Sequence, residues 1–408
     1  MVRPMSLLNG EAKKYSRKMS ANDLLSIASD RVSSFNNQII FDGDGVLDKD
    51  KWISAVEMSS AANPGSRLIM KGYPFACRWV DSGITPRVRE VDGSKWSGRD
   101  LEGAPFLMEQ LPPDEGPTCE VVLVQGSPPR VIFRTNHGVM DAGWTLLWAE
   151  DIFRALRREP VLGSTSALND EDVSKNLPRI KKEKISKSNI TPGGRVQGND
   201  QGFLWIRRTL PGRYRNLLSQ VIYLSAREAW KYSDGPVVFC ISVDLRRHLP
   251  PETRSTAFLS KNIFMEIKPE YTVEKITELT KKYLGEKREI NYSWLRRLLL
   301  GVPIGLINRF FERIGKKMHE SGRYVASGIV VTMGVVPLEK FTGGGFRATA
   351  MYAIAPYIDV IPFFIGMASN GKEIEVVITM NKGLGSNGRI ETIMESITSQ
   401  LVPEKSKP

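Results

Sequence analysis

His137 and Asp141 stand four residues apart in the run Arg134-Thr135-Asn136-His137-Gly138-Val139-Met140-Asp141-Ala142-Gly143-Trp144, and the chain has only three histidines in 408 residues. An imidazole that titrates near neutrality, close to a carboxylate that can organise it, is the equipment of a general base. Gly138 and Gly143 would permit a sharp turn and close backbone approach at a reacting centre. A structural hydrogen-bonded pair uses the same two residue types, so the elements that carry them must weigh between the readings. Asn136 is a further candidate for a hydrogen bond near the reaction centre, although Asn at a strand end is also a turn former.

Those elements favour chemistry. Glu120–Val124 and Val131–Phe133 are apolar runs joined by Gly126-Ser127-Pro128-Pro129, a composition that predicts an antiparallel hairpin delivering His137 at a strand end. After Gly143, Trp144, Leu147, Trp148, Ile152 and Leu156 recur at helical spacing, with Arg154, Arg157 and Arg158 where cations suit a helix C-terminus. Strand, glycine-bounded turn and helix make a rigid mount for a reactive side chain.

The run resembles the His-His-x-x-x-Asp-Gly motif of the chloramphenicol-acetyltransferase-like acyltransferases, which include condensation domains of nonribosomal peptide synthetases, polyketide-associated acyltransferases and wax ester synthases. Asn136 stands where condensation domains carry their first His, and Ala142 replaces the motif's Gly, with Gly143 one position late. Other segments resemble the family in the same order. Gly45-Val46-Leu47-Asp48, then Trp52, Ala55, Pro64, Arg67 and Leu68, is similar to its opening strand and helix. Val243-Asp244-Leu245-Arg246 is similar to a strand motif ending in Arg, and Ser260-Lys261-Asn262 falls near a common Gly-Asn pair. Gly328–Gly334, ending Thr332-Met333-Gly334, resembles a second-lobe strand, and Phe346–Leu401 resembles the family's ending. The family's Asp-Phe-Gly-Trp-Gly sequence is missing, with Gly343-Gly344-Gly345-Phe346 the nearest stand-in.

The resemblance implies two αβ sandwich lobes arranged in a V with a tunnel between them. It implies His137 as general base or positioner, and Asp141 as a structural group paired across the lobes with Arg246, or with Arg247 as the fallback. Trp144, Thr332 and Gly334 are candidates for the tunnel wall. The donor would be a thioester on coenzyme A or on the phosphopantetheine of an acyl- or peptidyl-carrier protein, and the acceptor a small amine or alcohol, in specialised-metabolite biosynthesis. Neither metal nor bound cofactor is required. A non-catalytic relative that uses the tunnel as a binding or docking module is the alternative.

A different chemistry competes at Ile39-Ile40-Phe41-Asp42-Gly43-Asp44-Gly45-Val46-Leu47, which fits the haloacid-dehalogenase phosphatase signature. There the first Asp attacks phosphorus and the second acts as acid and base, with magnesium neutralising the phosphate. No late Gly-Asp-x-x-x-Asp or Asp-Asp pair accompanies it after residue 200. An Asp- and Gly-rich strand-end turn is the competing explanation.

The chain is long enough for two domains of roughly 200 residues. Hydrophobic residues at 41% and charged residues at 25% describe a chain with a substantial core. The expected division is an N-terminal lobe over 1–160, a polar linker over 161–200 and a C-terminal lobe over 201–408. In the latter, strands are expected at Val237–Val243, Tyr324–Thr332, Met351–Ile354, Val360–Met367 and Glu375–Thr379. Helices are expected at Arg213–Lys231, Val273–Leu284, Ser293–Met318 with a break, and Gly388–Leu401. Met1-Val2-Arg3-Pro4 precedes no long apolar run, and Cys77, Cys119 and Cys240 are too scattered for a disulfide framework, so a cytoplasmic location is expected.

A net charge of +12 implies attraction to anions. Nucleic acid, coenzyme A phosphates and an acidic carrier protein compete, but no RNA-binding signature accompanies the basic run Lys181-Lys182-Glu183-Lys184 with Lys187. Charges and Pro303 interrupt the apolar stretch Trp294–Phe311 before the ~20 residues a spanning helix needs. A buried or pocket-lining helix is expected there, with an interfacial membrane contact or acyl-chain surface as the alternative.

Overall fold

The structure, a computed structural model, describes residues 14–32, 36–175, 177, 185, 186, 188–198, 202–290 and 294–404. The basic run at 181–184 with Lys187 lies outside the described residues. Two six-stranded sheets dominate. In spatial order, the first contains β12 (Thr342–Gly343), β13 (Phe346–Ile354), β2 (Asn36–Gly45), β7 (Arg130–Asn136), β6 (Cys119–Gln125) and β5 (Arg87–Asp92). The second contains β10 (Ser260–Ile267), β9 (Val237–Asp244), β11 (Gly328–Val335), β14 (Phe363–Ser369), β15 (Glu373–Asn381) and β8 (Phe203–Pro211). Both are mixed, with β5–β6, β9–β11 and β11–β14 parallel. Short strands β1 (Ser16–Lys18), β4 (Arg78–Asp81) and β3 (Leu68–Lys71) form a third sheet.

The helices are α1 (Ala21–Val32), α2 (Lys49–Ala62), α3 (Ala142–Leu156), α4 (Asp170–Lys175), α5 (Leu217–Trp230), α6 (Val273–Gly285), α7 (Ile304–Ser321), α8 (Lys382–Gly385) and α9 (Arg389–Ser399). A 3-10 segment, Trp294–Gly301, precedes α7. The expected antiparallel hairpin is β6–β7, and β7 ends at Asn136, immediately before His137. Its runs are continuously apolar because both faces are covered. Val121, Leu123, Val131 and Phe133 enter one core with Trp52, Trp148 and Phe153, while Val122, Val124 and Ile132 enter another with Trp96 and Phe106. The second sheet has its own core, in which Phe239, Ile365 and Ile378 meet Val221 and Ile222 of α5 and Ile393 of α9.

Chain order does not follow sheet order, which corrects the expected division at 161–200. β13 pairs with β2 from Phe346↔Gly45 to Ile354↔Gln38, so a late strand completes the early sheet. The physical reason is the edge of β2 opposite β7, whose backbone donors and acceptors need a partner. The supposed linker is also packed: α4 lies within it, and Asn189 exchanges backbone hydrogen bonds with Tyr324 at 2.9 and 2.8 Å. That pairing explains why β11 starts at Gly328 rather than at Tyr324. Strands β8 and β10, the edges of the second sheet, escape the sequence pattern because Arg207, Arg208, Lys261 and Glu266 interrupt their apolar residues.

The phosphatase reading fails on β2. Each carboxylate oxygen of Asp42 is held by a guanidinium, Arg130 Nε at 2.9 Å and Arg207 Nη1 at 2.6 Å. Asp44 pairs with Arg347 at 2.6 Å. A carboxylate so engaged is a structural anchor rather than an attacking group. Arg207 also donates to Glu375 at 2.7 Å and lies 3.8 Å over the Tyr352 ring, so it ties the second sheet to the first. Replacing Arg207 with Leu leaves the nearly buried Glu375 without its guanidinium and Asp42 with Arg130 alone, and the expected loss of stability is about 3 kcal/mol by urea denaturation. A loss below about 1 kcal/mol would remove the clamp from the account.

Candidate active site

His137 begins where β7 stops. The turn from 137 to 141 is drawn tight by Val139 and Met140 backbone N–H groups donating to the Asn136 carbonyl, at 2.9 and 3.2 Å. Asp141 then caps α3, its Oδ1 accepting from Trp144 N at 2.9 Å. Oδ2 of the same carboxylate accepts from Arg246 Nη1 at 2.9 Å and from Leu259 N at 2.8 Å. One fully buried side chain thus starts a helix in one half and binds the second half. Arg246 is fixed in turn by Asp244 at 3.0 Å and by the Ala257 carbonyl at 2.9 Å.

The electrostatics follow from this packing. Burial pushes the Asp141 carboxyl up, but Arg246 and the donated hydrogen bonds outweigh it and hold the group below the usual carboxylate range. Burial raises the Asp244 carboxyl, against Arg246 and helped by the Asp141 charge. Burial lowers His137 below the ordinary imidazole value, against a smaller opposing pull from Asp141, so the neutral ring is favoured.

His137 Nδ1 lies 3.2 Å from the Met140 carbonyl. A carbonyl only accepts, so this contact assigns the proton to Nδ1 and the basic lone pair to Nε2. The ring packs on Phe258 with centroids 4.4 Å apart. It lines a cavity of about 670 Å³ whose walls come from both large sheets, including Asn37 and Ile354 of the first and Thr332 and Phe364 of the second. This is the arrangement a base needs: an oriented, partly desolvated imidazole on the wall of a chamber large enough for two reactants.

Several expected site residues lie elsewhere. Trp144 is buried in the first core beneath Arg254, 5.2 Å from its ring, because positions 144, 148 and 152 share the inward face of α3. Ala142, Gly143 and Leu146 face the cavity in its place. Gly334 does not line the cavity either; it has φ +69° at an irregularity of β11, and its N–H donates to Thr332 Oγ1 at 3.1 Å. Thr332 itself is on the cavity wall. Asn136 is a turn former: its Oδ1 accepts from Gly138 N at 3.0 Å, and its Nδ2 donates to the Leu111 carbonyl at 3.0 Å. Neither Gly138 nor Gly143 has left-handed backbone. Gly138 is needed because a Cβ would stand 2.9 Å from the Asp23 carbonyl and Ile27, so its close approach is to α1 rather than to a substrate arm. At Gly143 a Cβ would meet only ordinary contacts.

Two positioning groups were missed. Asn37 Nδ2 donates to the Met140 carbonyl at 2.7 Å, so it braces the oxygen that orients His137. The amide run Asn36-Asn37-Gln38 at the start of β2 was an available signal, because buried amides require partners. Buried Arg17 donates to the Val139 carbonyl at 2.9 Å and to Thr256 at 3.3 Å. Nothing local to Arg17 in the sequence points to that role. Of the cavity cations, Lys261 is paired with Asp170, while Arg296 has no ion pair among the described residues.

Two αβ layers of mixed sheet enclosing a cavity between them are the fold seen in solved condensation domains. Solved structures agree across nearly the whole chain. A mutant starter condensation domain of rhizomide synthetase RzmA, in complex with C8-CoA and Leu-SNAC, superposes with a TM-score of 0.64 at 14% identity, covering 96% of this chain and 96% of that one. The first condensation domain of the calcium-dependent antibiotic synthetase, in complex with a substrate analogue, gives 0.63 at 14%, covering 95% of each. F. graminearum TRI101 complexed with coenzyme A and T-2 mycotoxin gives 0.59 at 13%, covering 91% of this chain and 96% of that one. No family model and no curated protein matches the sequence.

Asp141→Asn keeps a cap for Trp144 but removes the charge from Arg246, with an expected loss of about 3 kcal/mol near neutral pH. Because the folded carboxyl titrates below its unfolded value, its contribution is complete above the unfolded value and disappears as pH falls through the folded one. Urea denaturation across acid pH should therefore show a gap between wild type and variant that closes on acidification. A gap independent of pH would deny the ion pair this role.

Proposed function

We propose that this chain is a condensation-like acyltransferase, moving an acyl or aminoacyl group from a coenzyme A or carrier-protein thioester to an amine or hydroxyl acceptor. The observation that carries the reading is His137: its Nδ1–Met140 contact leaves Nε2 as the basic nitrogen, on the wall of a chamber shared by both sheets. The solved condensation domain in complex with C8-CoA and Leu-SNAC supports this substrate class.

The chemistry balances without a covalent enzyme intermediate. Nε2 takes the proton from the acceptor nitrogen or oxygen as that atom attacks the thioester carbonyl carbon. The tetrahedral intermediate collapses with cleavage of the carbon–sulfur bond, and the imidazolium returns the proton to the departing thiolate. Alignment of two reactants in one chamber supplies the larger share of rate, and proton transfer typically ~10²–10⁴-fold. Asp141 contributes through position, since its oxygens are committed to Trp144, Arg246 and Leu259.

The test is free-thiol release from a panel of acyl-coenzyme A and acyl-carrier-protein thioesters with pooled amines and alcohols. Acceptor-dependent release is expected, with His137→Ala lowering it by about 10²–10⁴-fold. Undiminished release in His137→Ala sinks the assignment of the base, and binding of thioester without release in wild type would favour a docking module. Because burial lowers the His137 pKa, kcat/KM should hold as pH drops through the ordinary imidazole value of 6.5 and fall only below it. An acid limb centred above 6.5 would contradict the desolvated environment.

A further inference from the structure

The segment that leads to α7 leaves large apolar side chains in solvent. Leu298 is 63% exposed on the 3-10 segment, Leu306 is 54% and Phe310 60% exposed on α7, and Phe75 is 82% exposed on the loop that packs against Gly301. The Phe75 backbone N–H donates to the Leu300 carbonyl at 3.3 Å, so loop and 3-10 segment are held together as one surface. Along α7, Ile304, Ile307 and Phe311 turn inward to the core and cavity, while Leu306, Phe310, Arg313 and Lys317 follow each other at three- and four-residue steps on the opposite, solvent side.

Cations are interleaved with these apolar groups. Arg296, Arg309, Arg313 and Lys317 are all exposed and form no ion pair among the described residues. Of the acidic groups on this helix, Glu312 is turned away from that stripe, and Glu320 falls on it in the last turn, where it faces Lys316 at 4.0 Å. Arg296 and Phe311 also line the central cavity, so this surface adjoins a cavity wall.

We propose that the face formed by the loop around Phe75, the 3-10 segment Trp294–Gly301 and the outer side of α7 docks on an anionic lipid bilayer. Apolar side chains mixed with unpaired lysines and arginines are the composition of a helix that lies in a membrane interface, where the apolar groups enter the acyl boundary and the cations meet anionic headgroups. A second copy of the chain fits poorly, because an isologous contact would bring two identical cationic faces together. A protein partner's interface gathers its anchors at a centre depleted of charge, whereas here the charges run between the anchors. Among the described residues no helix is long and apolar enough to cross a membrane, so the contact is peripheral. Docking would bring the side of the cavity that carries Arg296 and Phe311 close to the bilayer, where acyl chains or lipid-soluble acceptors are concentrated. Only this delivery of substrate rests on the acyl-transfer reading; the docking itself does not.

The test is co-sedimentation of the full chain with phosphatidylcholine vesicles, with and without phosphatidylserine, at low and high salt. Retention on the phosphatidylserine vesicles, weakened by salt, is expected, and Leu306→Glu with Phe310→Glu should weaken it by roughly tenfold or more. Arg309→Gln with Arg313→Gln should selectively reduce the phosphatidylserine dependence, and it replaces the first variant as the decisive one if that variant fails to melt like wild type. Equal retention of the variants, no retention of wild type on either vesicle, or a dimer in sedimentation that the Leu306 and Phe310 substitutions dissolve would overturn the proposal. Thiol release from soluble acyl-coenzyme A should be unchanged in both variants. Vesicle binding by a chain that releases no thiol would retain the docking surface and sink the acyltransferase reading.

Discussion

The contact on which the rest of the molecule depends is the buried ion pair between Asp141 and Arg246. A charge pair removed from water contributes little unless every remaining lone pair and proton is satisfied. Here nearly all of them are: Asp141 also accepts from Trp144 and Leu259, and Arg246 also donates to Asp244 and Ala257, its Nε alone having no partner among the described residues. The pair therefore specifies geometry more than it adds stability. It sets the start of α3, the exit of the chain from β9 and the position of Leu259 ahead of β10, and so determines where the turn bearing His137 faces the opposite sheet.

Arg207 makes a second tie between the sheets, through Asp42 on one and Glu375 on the other. With two such ties the cavity between the sheets has braced walls, and its size is a property of the fold rather than of one loop. Desolvation there has a chemical consequence. A neutral imidazole is favoured at His137, which is the form a base must have before reaction, and Asp141 stays ionised close by because Arg246 compensates it. Opposite protonation requirements four residues apart are met by burial acting on one group and a guanidinium acting on the other.

Much of the local architecture was legible. The apolar runs around Gly126–Pro129 predict the β6–β7 hairpin, and the spacing from Trp144 to Leu156 predicts α3, because a short apolar run bounded by turn residues and a period of 3.6 residues are both displayed directly in a sequence. Trp144, expected on the tunnel wall, lies in the core instead, because helical spacing places it on a face but does not say on which side of α3 the cavity lies. Asn136 could be given two roles from its type, and only its hydrogen bonds to Gly138 and Leu111 assign it to the turn. Asp42 and Asp44 made a phosphatase signature in sequence and became anchors for Arg130, Arg207 and Arg347 in space.

By itself the sequence determined the strands and helices with strong periodicity, the turn that ends in Asp141, and, through an ordered series of short resemblances, the two-sheet fold. Tertiary structure alone decided which partners those elements meet. β13 closes the sheet begun by β2, Leu259 donates to a carboxylate 118 positions earlier, and Arg17 reaches the carbonyl of Val139. The division has a physical cause. Caps and amphipathic faces are set by neighbours within a turn or a strand, whereas the pairing of distant edges and the compensation of buried charges depend on which surfaces must be removed from water together.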